Sequence, residues 1–487
     1  MEPSSINGAG VTLVIYMLAL LAIGFWASRR ATASEDAFLL GGRSLGPVVS
    51  GLAYAASTSS AWVLLGYTGF VATVGVSALW MVPGILFGYG CVWLWLGPWL
   101  NRVSREKGYL TAIDVIAGET TGMARRIIVM SAAAMILFCF SFYIAVQFQG
   151  AGAALADVFG LSPTAAILAG ALVILAYTFL GGFWAVSVTD TLQGISIAIV
   201  ACVLPVAALI DIGGFGGIAE GLQQQPESLT APFGVYAGWS VVGFLFGLSS
   251  LGIGAMGQPH LLTWIMAVRD RKSRIQGAAV SIGWGALVFS GMSIIALAAR
   301  ATSEPGAGLG EMIIFDLAQQ TLPGILPALV YAAILSAVMS TVDSQLLVAS
   351  AAGSHDLGLA KLAPNREVLV TRVVIVTLCF AAILITLQVP ASIFDRAIFA
   401  WTALGAAFGP SIVARMLGRR MSAYTVLAAM VSGFSLTVFF NQIDASGPGA
   451  WLERGLPWVV GATILTLFSK RREAEASVLQ EADSASV

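Results

Sequence analysis

Apolar residues along this chain come in long blocks, and each block ends in a short connection rich in glycine, proline or arginine. A helix needs about 20 mostly apolar residues to cross a bilayer. By that measure the pattern predicts thirteen spans, at 10–28, 46–72, 76–100, 127–156, 161–181, 184–211, 236–266, 276–299, 324–352, 373–389, 394–417, 422–441 and 456–469. Backbone groups in lipid must satisfy one another within the span, so each block reads as helix and the chain as an all-α integral membrane protein. Two connections, near 212–235 and 301–323, are longer than the others on their side. The first is rich in Gly and Gln and reads as loop with a short helical piece. The second contains "GEMIIFDLAQQTL" and reads as an interfacial helix.

Composition and charge refine this picture. Hydrophobic residues make up 58% of the 487 and charged residues only 10%, against about 25% charged in soluble domains. A net charge of −1 with no basic block gives nucleic acid nothing to bind. Cys91, Cys139, Cys202 and Cys379 fall in four separate apolar blocks, so neither a disulfide framework nor a zinc site is indicated. Glu2 and the lack of a basic residue before the first block suit a membrane span better than a signal peptide. With the N-terminus outside, 24 Lys and Arg residues collect on the inner side except Arg300, Arg396 and Arg454. The chain is therefore expected in the cell (inner) membrane, with a cytoplasmic C-terminus. Its tail, 471–487, is acidic and small-residue-rich, and reads as disordered.

Two spans are interrupted near mid-membrane. One is "SGLAYAASTSSAWVLLGYTG", 50–69, with four hydroxyls at 57–60; the other is "FGLSSLGIGAMGQPH", 246–260, with four glycines and Pro259. Carriers built from inverted repeats expose backbone carbonyls and amides at such breaks. Small residues also permit close helix packing with no further purpose. Position favours the first reading. The breaks fall in the second and seventh spans, at matching places in two five-span sets that must run in opposite directions. The repeats are placed at 46–211 and 236–418, preceded by a first helix and loop at 1–45 and followed by two helices within 419–470.

Polar residues inside a third span carry the chemistry. In "SAVMSTVDSQLLVAS", 336–350, Ser336, Ser340 and Ser344 recur every fourth residue on one helical face, with Thr341 and Asp343 beside them. Hydroxyl and carbonyl oxygens suit small hard cations. A single buried hydroxyl commonly bonds back to its own helix; a cluster with an acid beside it points instead to an ion site. Asp190, in "AVSVTDTLQG", is a second intramembrane acid and a candidate functional site by the same logic. His260, after Pro259, reads as a structural hydrogen-bonding group and is given no role.

Four segments, "GGRSLGPVVSGLAYAASTSSAWVLLGYTG", "GGFWAVSVTDTLQ", "GQPHLLTWIMA" and "SAVMSTVDSQLLVAS", resemble in order and spacing those of the sodium/solute symporters, most closely the sodium/proline branch. The resemblance runs from about 10 to 440. It implies the inverted five-plus-five repeat of the leucine-transporter type, with one extra leading and two extra trailing helices. It implies that co-transported sodium drives a small organic solute inward by alternating access. Position by position, a sodium site would use Ala56 and Ser59 in the first break with Ala337, Ser340 and Thr341. A second sodium would involve Asp190, Ser340, Asp343 and Ser344. Substrate contacts would come from Ser60, Trp62, Tyr143, Leu251, Ala255, Gln258 and Pro259.

The chain departs from the proline pattern at Thr58, where an aspartate is typical, and at Leu251 and Ala255, where aromatic residues are typical. Gln147 and Gln149, about a turn beyond Tyr143, are expected to add polar contacts if they face inward. The leading expectation is sodium-coupled uptake of L-proline or a related amino acid. The alternatives are another solute (a different amino acid, a carboxylate or a sugar-like molecule), proton coupling through Asp190 or Asp343, and a transporter-like membrane sensor. No nucleophile–base–acid set, metal motif or phosphate loop suggests an enzyme. Nothing in the sequence specifies an oligomeric state.

Overall fold

The computed structural model describes residues 3–28, 39–178, 183–359, 366–443 and 447–471. Most of the expected acidic tail, and the end of the span expected at 161–181, lie outside them. The described chain is helical apart from short turns and a two-residue strand pair, Arg419–Arg420 antiparallel to Lys470–Arg471.

Among the described residues ten helices are long and apolar enough to cross a membrane, or up to eleven with one bent pair counted as a span. In chain order the elements are α1 (Pro3–Ser28), α2 (Pro47–Thr58), α3 (Trp62–Val74), α4 (Val76–Glu106), α5 (Ala112–Ala117), α6 (Gly122–Phe159), α7 (Pro163–Thr178) and α8 (Phe183–Ile212). There follow α9 (Trp239–Gly254), α10 (Pro259–Ala267), α11 (Arg271–Thr302), α12 (Ile313–Thr321), α13 (Pro327–Ala351), α14 (Glu367–Gln388), α15 (Ile393–Met416), α16 (Ala423–Gln442) and α17 (Leu456–Leu467). Apolar helices α7 and α17 are shorter than a full span.

The sequence explains several of the ends. Proline at the first helical turn starts α2, α10 and α13, where its missing N–H costs nothing. Thr111 and Asp114 form a reciprocal cap on α5, and Asp270 accepts Ser273 N at 2.7 Å to begin α11. Burial sorts the helices into an inner and an outer set. The most apolar stretch of α15 is 100% buried and that of the α13 span 94%, against 22% for α1 and for α14. The inner set holds the site; the outer set presents its apolar faces outward, with Ile15, Leu18, Val373 and Phe380 exposed.

Two close crossings bring the broken helices into place. A Cβ on Gly88 of α4 would lie 2.1 Å from Gly252 O, and one on Gly252 of α9 would lie 1.9 Å from Gly84 O, so bare backbones touch there. On the other side of the break a Cβ on Gly257 would meet Gly405 O and Gly409 N, each at 2.7 Å. Hence α15 can press directly on the interrupted backbone.

Candidate functional site

The first break lies between α2 and α3, which meet at 58°. Ser59 leaves the helix at φ −102°, ψ 68°, and its N–H still reaches back to Ala55 O and Ala56 O at 3.1 and 3.2 Å. Helix α13 runs alongside. Ser340 Oγ lies 3.2 Å from both Ala56 O and Ala337 O. Thr341 Oγ1 donates to Ala337 O at 3.0 Å and lies 3.3 Å from Ser57 O. Ala56, Ala337, Ser340 and Thr341 are fully buried. Two hydroxyls and three carbonyls from two helices thus converge in a space closed to solvent. The Ser57 carbonyl was not among the expected groups.

The other serines of the α13 stripe are committed differently. Ser336 Oγ lies 2.6 Å from Ala332 O and 2.5 Å from the Tyr16 hydroxyl of α1. Ser344 bonds back to Thr341 O at 2.9 Å, the local pattern open to any helical serine.

Asp190 is fully buried two turns into α8 and accepts from Ser57 Oγ at 3.3 Å. With its amide nitrogen turned toward Asp190, Gln193 donates to the other carboxylate oxygen at 3.2 Å. Asp343 is also buried, and stands near enough to Asp190 for their charges to interact. Ser57 ties this acid pair to the second broken helix, because Trp264 Nε1 of α10 donates to Ser57 Oγ at 3.1 Å.

The second break spans Ala255 to Gln258, where φ −86°, ψ 108° at Gln258 separates α9 from α10. Its freed groups are bracketed by one residue of α15. Trp401 Nε1 donates to Leu251 O at 2.8 Å, and Trp401 O accepts from Gln258 Nε2 at 2.7 Å. At the first break Trp62 Nε1 caps Thr58 O at 3.0 Å, while the Thr58 hydroxyl bonds Tyr89 OH and Ala55 O. Between the breaks lies a narrow, nearly closed cavity, walled by Thr58, Trp62, Tyr89, Leu251, Ala255 and Trp401 among others.

Trp62, Leu251 and Ala255 therefore meet at one cavity. Pro259 does not join them; with Thr263 it lines a separate pocket that also includes Thr111 and Asp356. Ser60 turns inward on its own loop, its O and Oγ accepting from Val63 N and Trp62 N at 3.0 and 3.3 Å. Gln147 and Gln149 do not project toward the cavity. Gln147 Oε1 caps Ala61 N at 3.1 Å, and Gln149 joins Ala391 O and Arg396 near the start of α15. Tyr89 and Trp401 escaped the sequence reading because each stands in an apolar run. The glycines spaced four and eight residues after Trp401 were the available signal that a backbone packs there.

A family model described as "Sodium:solute symporter family" matches residues 38–433. The chain is 32% identical over 486 residues to a sodium/proline symporter of Escherichia coli (strain K12), covering 97% of this chain and 94% of that protein. It is 29% identical to the high-affinity proline transporter of Bacillus subtilis (strain 168), covering 88% and 91%. Its fold is that of a solved Na+-coupled sialic acid symporter in a substrate-bound outward-open state. That match has a TM-score of 0.76 at 16% identity over 96% of this chain and 99% of that one.

Proposed function

Because the chain belongs to the sodium:solute symporter family, we propose that it couples inward sodium movement to the uptake of a small organic solute, L-proline or a related amino acid, by alternating access. The observation that carries this reading is the meeting of Ser340 and Thr341 hydroxyls with the Ala56, Ser57 and Ala337 carbonyls across the first break. Sodium would sit among these oxygens, the hydroxyls keeping their protons, which turn aside while the lone pairs point inward. Ser59, next in the loop, completes the set. Asp190 and Asp343, with Ser344 nearby, form the proposed second cation position.

The solute occupies the cavity between the breaks, against Trp62, Leu251 and Ala255. Leu251 and Ala255 take less space than an aromatic pair would fill. The architecture that serves this cycle is the inverted five-plus-five repeat, 46–211 against 236–418, in thirteen spans with the N-terminus outside. In that architecture the bent pair α2 and α3 and the interrupted pair α9 and α10 would take corresponding places in the two halves.

Purified protein in proteoliposomes should take up radiolabelled L-proline under an inward sodium gradient and not under a matching potassium gradient. Sodium-driven uptake of another solute, with proline ignored, would keep the ion reading and discard the substrate. Uptake driven by a pH gradient without sodium would transfer the coupling role to protons at the Asp190–Asp343 pair.

A further inference from the structure

By sequence His260 reads more readily as a structural hydrogen-bonding group than as a proton carrier, and it is assigned neither role. It is 1% exposed, and among the described residues nothing bonds to its ring nitrogens. Its ring is met edge-on by Phe140 at 5.6 Å and by Trp401 at 6.5 Å, with Tyr143 tilted against it at 6.4 Å. An imidazole buried without a partner forfeits its hydration at a cost of roughly 1–3 kcal/mol on protein mutational scales. Such a group calls for a partner, and a bound solute is among those that can supply one.

Hydrogen-bonding capacity at the two breaks is otherwise largely spent. Ala61 N goes to Gln147, Trp62 N and Val63 N to Ser60, Thr58 O to Trp62, Leu251 O to Trp401, and Leu261 N and Leu262 N to Gln258 O. The unspent side chains at the breaks include His260, Ser59, whose hydroxyl the proposed ion site can use, and Tyr143, whose hydroxyl lies beside Ser60 and Trp62 without a well-formed bond to either. Neither His260 nor Tyr143 lines the cavity; each stands behind one of its walls, so a solute reaches them where those walls give way. Trp401 is shared between cavity and His260, and Trp62 between cavity and Tyr143.

We infer that His260 is a solute-recognition residue: its N–H, together with the Tyr143 hydroxyl, binds the carboxylate of the transported solute, whose apolar body lies against Trp62, Leu251, Ala255 and Trp401. This rests on the solute-transport reading above. An uncharged imidazole offers one N–H and one lone pair, and a phenol offers one O–H, so the two side chains present two donors. The buried arginines are occupied elsewhere. Arg274 donates to Trp93 O, Arg300 to Ala72 O and Ala307 O, and Arg396 to Gln149 and Val389 O. The carboxylate is therefore held by neutral donors, and the co-bound cation supplies the compensating charge. The class this selects is a compact monocarboxylate or amino acid with a small apolar body.

The test is equilibrium binding to the purified full-length protein at saturating sodium, with labelled L-proline displaced by L-proline or L-prolinamide. Three proteins are compared: wild type, His260→Phe, which keeps the ring and removes both nitrogens, and His260→Asn, which retains a donor. Sodium binding without solute is read from the sodium-dependent rise in Tm. His260→Phe is expected to weaken L-proline at least tenfold and to narrow the proline-over-prolinamide preference to a few-fold. His260→Asn should stay within a few-fold of wild type, and the sodium response should be unchanged in both. Wild-type discrimination in His260→Phe overturns the inference, as does parallel loss of sodium response and solute binding in both variants. If wild type binds sodium but not L-proline, the proline reading fails by itself. The same comparison then uses L-alanine with L-alaninamide and pyruvate with pyruvamide. Preference for an uncharged solute such as glucose over every carboxylate overturns the inference.

Discussion

Ser340 Oγ and Ala56 O stand 3.2 Å apart although 284 positions separate them in the chain. That contact spans the first break and one wall of the proposed ion cage, so it should report sodium directly. Replacing Ser340 and Thr341 together with alanine removes two of the oxygens. The sodium concentration for half-maximal uptake should rise at least tenfold, about 1.4 kcal/mol or more, with protein abundance little changed. Wild-type sodium dependence in the double variant would remove both residues from the cage.

The acid pair gives a separable outcome. Asp190→Asn keeps the shape that Ser57 and Gln193 contact and removes the charge. If a second cation binds between Asp190 and Asp343, this variant should lower the number of cations moved per solute, read from reversal potentials in proteoliposomes. Asp343→Asn should act in the same direction. An unchanged ratio in both would return the pair to a structural role.

Trp401→Phe keeps the ring and deletes the N–H that caps Leu251 O. A buried carbonyl left without its donor costs roughly 1–3 kcal/mol. Because Trp401 also walls the cavity, solute affinity should fall with Tm, while sodium-only binding is retained. Equal loss of both affinities would show that Trp401 serves folding alone.

Gly252→Ala places a methyl 1.9 Å from Gly84 O, a backbone atom that cannot swing aside. The α4–α9 crossing must open, at about 1–3 kcal/mol for such overpacking, with a Tm lower by several degrees. Gly283→Ala, which meets nothing within 4 Å, is the matched control.

Glu311 supplies a pH signature outside the membrane. Its carboxylate accepts Ile393 N and Phe394 N at 2.8 and 2.7 Å, fastening the connection between α11 and α12 to the start of α15. Burial raises its carboxyl above the ordinary value of 4.5, against the opposing pull of those two N–H groups. A group raised on folding contributes stability that is fully present below its unfolded value and is lost as pH rises through the folded one. The Tm of wild type minus that of Glu311→Gln should therefore grow as pH falls from 7 toward 4.5. A flat difference across that range would refute it.

The two breaks and the hydroxyl-bearing side of α13 that meets the first of them were legible because their signals are local. Hydroxyls at a four-residue repeat and glycines beside Pro259 have few other uses in lipid. What seals each break was not legible. Trp401 meets Leu251 across 150 positions, and only the close approach at Gly257 and Gly405 permits the contact. Gln147 misled for the same reason. A polar residue one turn from Tyr143 looks solute-facing until Gly150 brings α6 against Ala61, where a Cβ on that glycine would lie 2.6 Å from Ala61 Cβ. His260 could not be judged from sequence at all, since its significance lies in partners it does not have.

Ser57 Oγ accepts from Trp264 and donates to Asp190, while its carbonyl accepts from Thr341. One residue thus joins the proposed cation wall, the acid pair and the second broken helix. Any tilt of α2 large enough to carry Ser57 away strains all three bonds together, so half-moved arrangements gain little from the bonds that remain. A carrier wastes its gradient when ion and cargo travel separately, and a shared junction of this kind penalises that slippage.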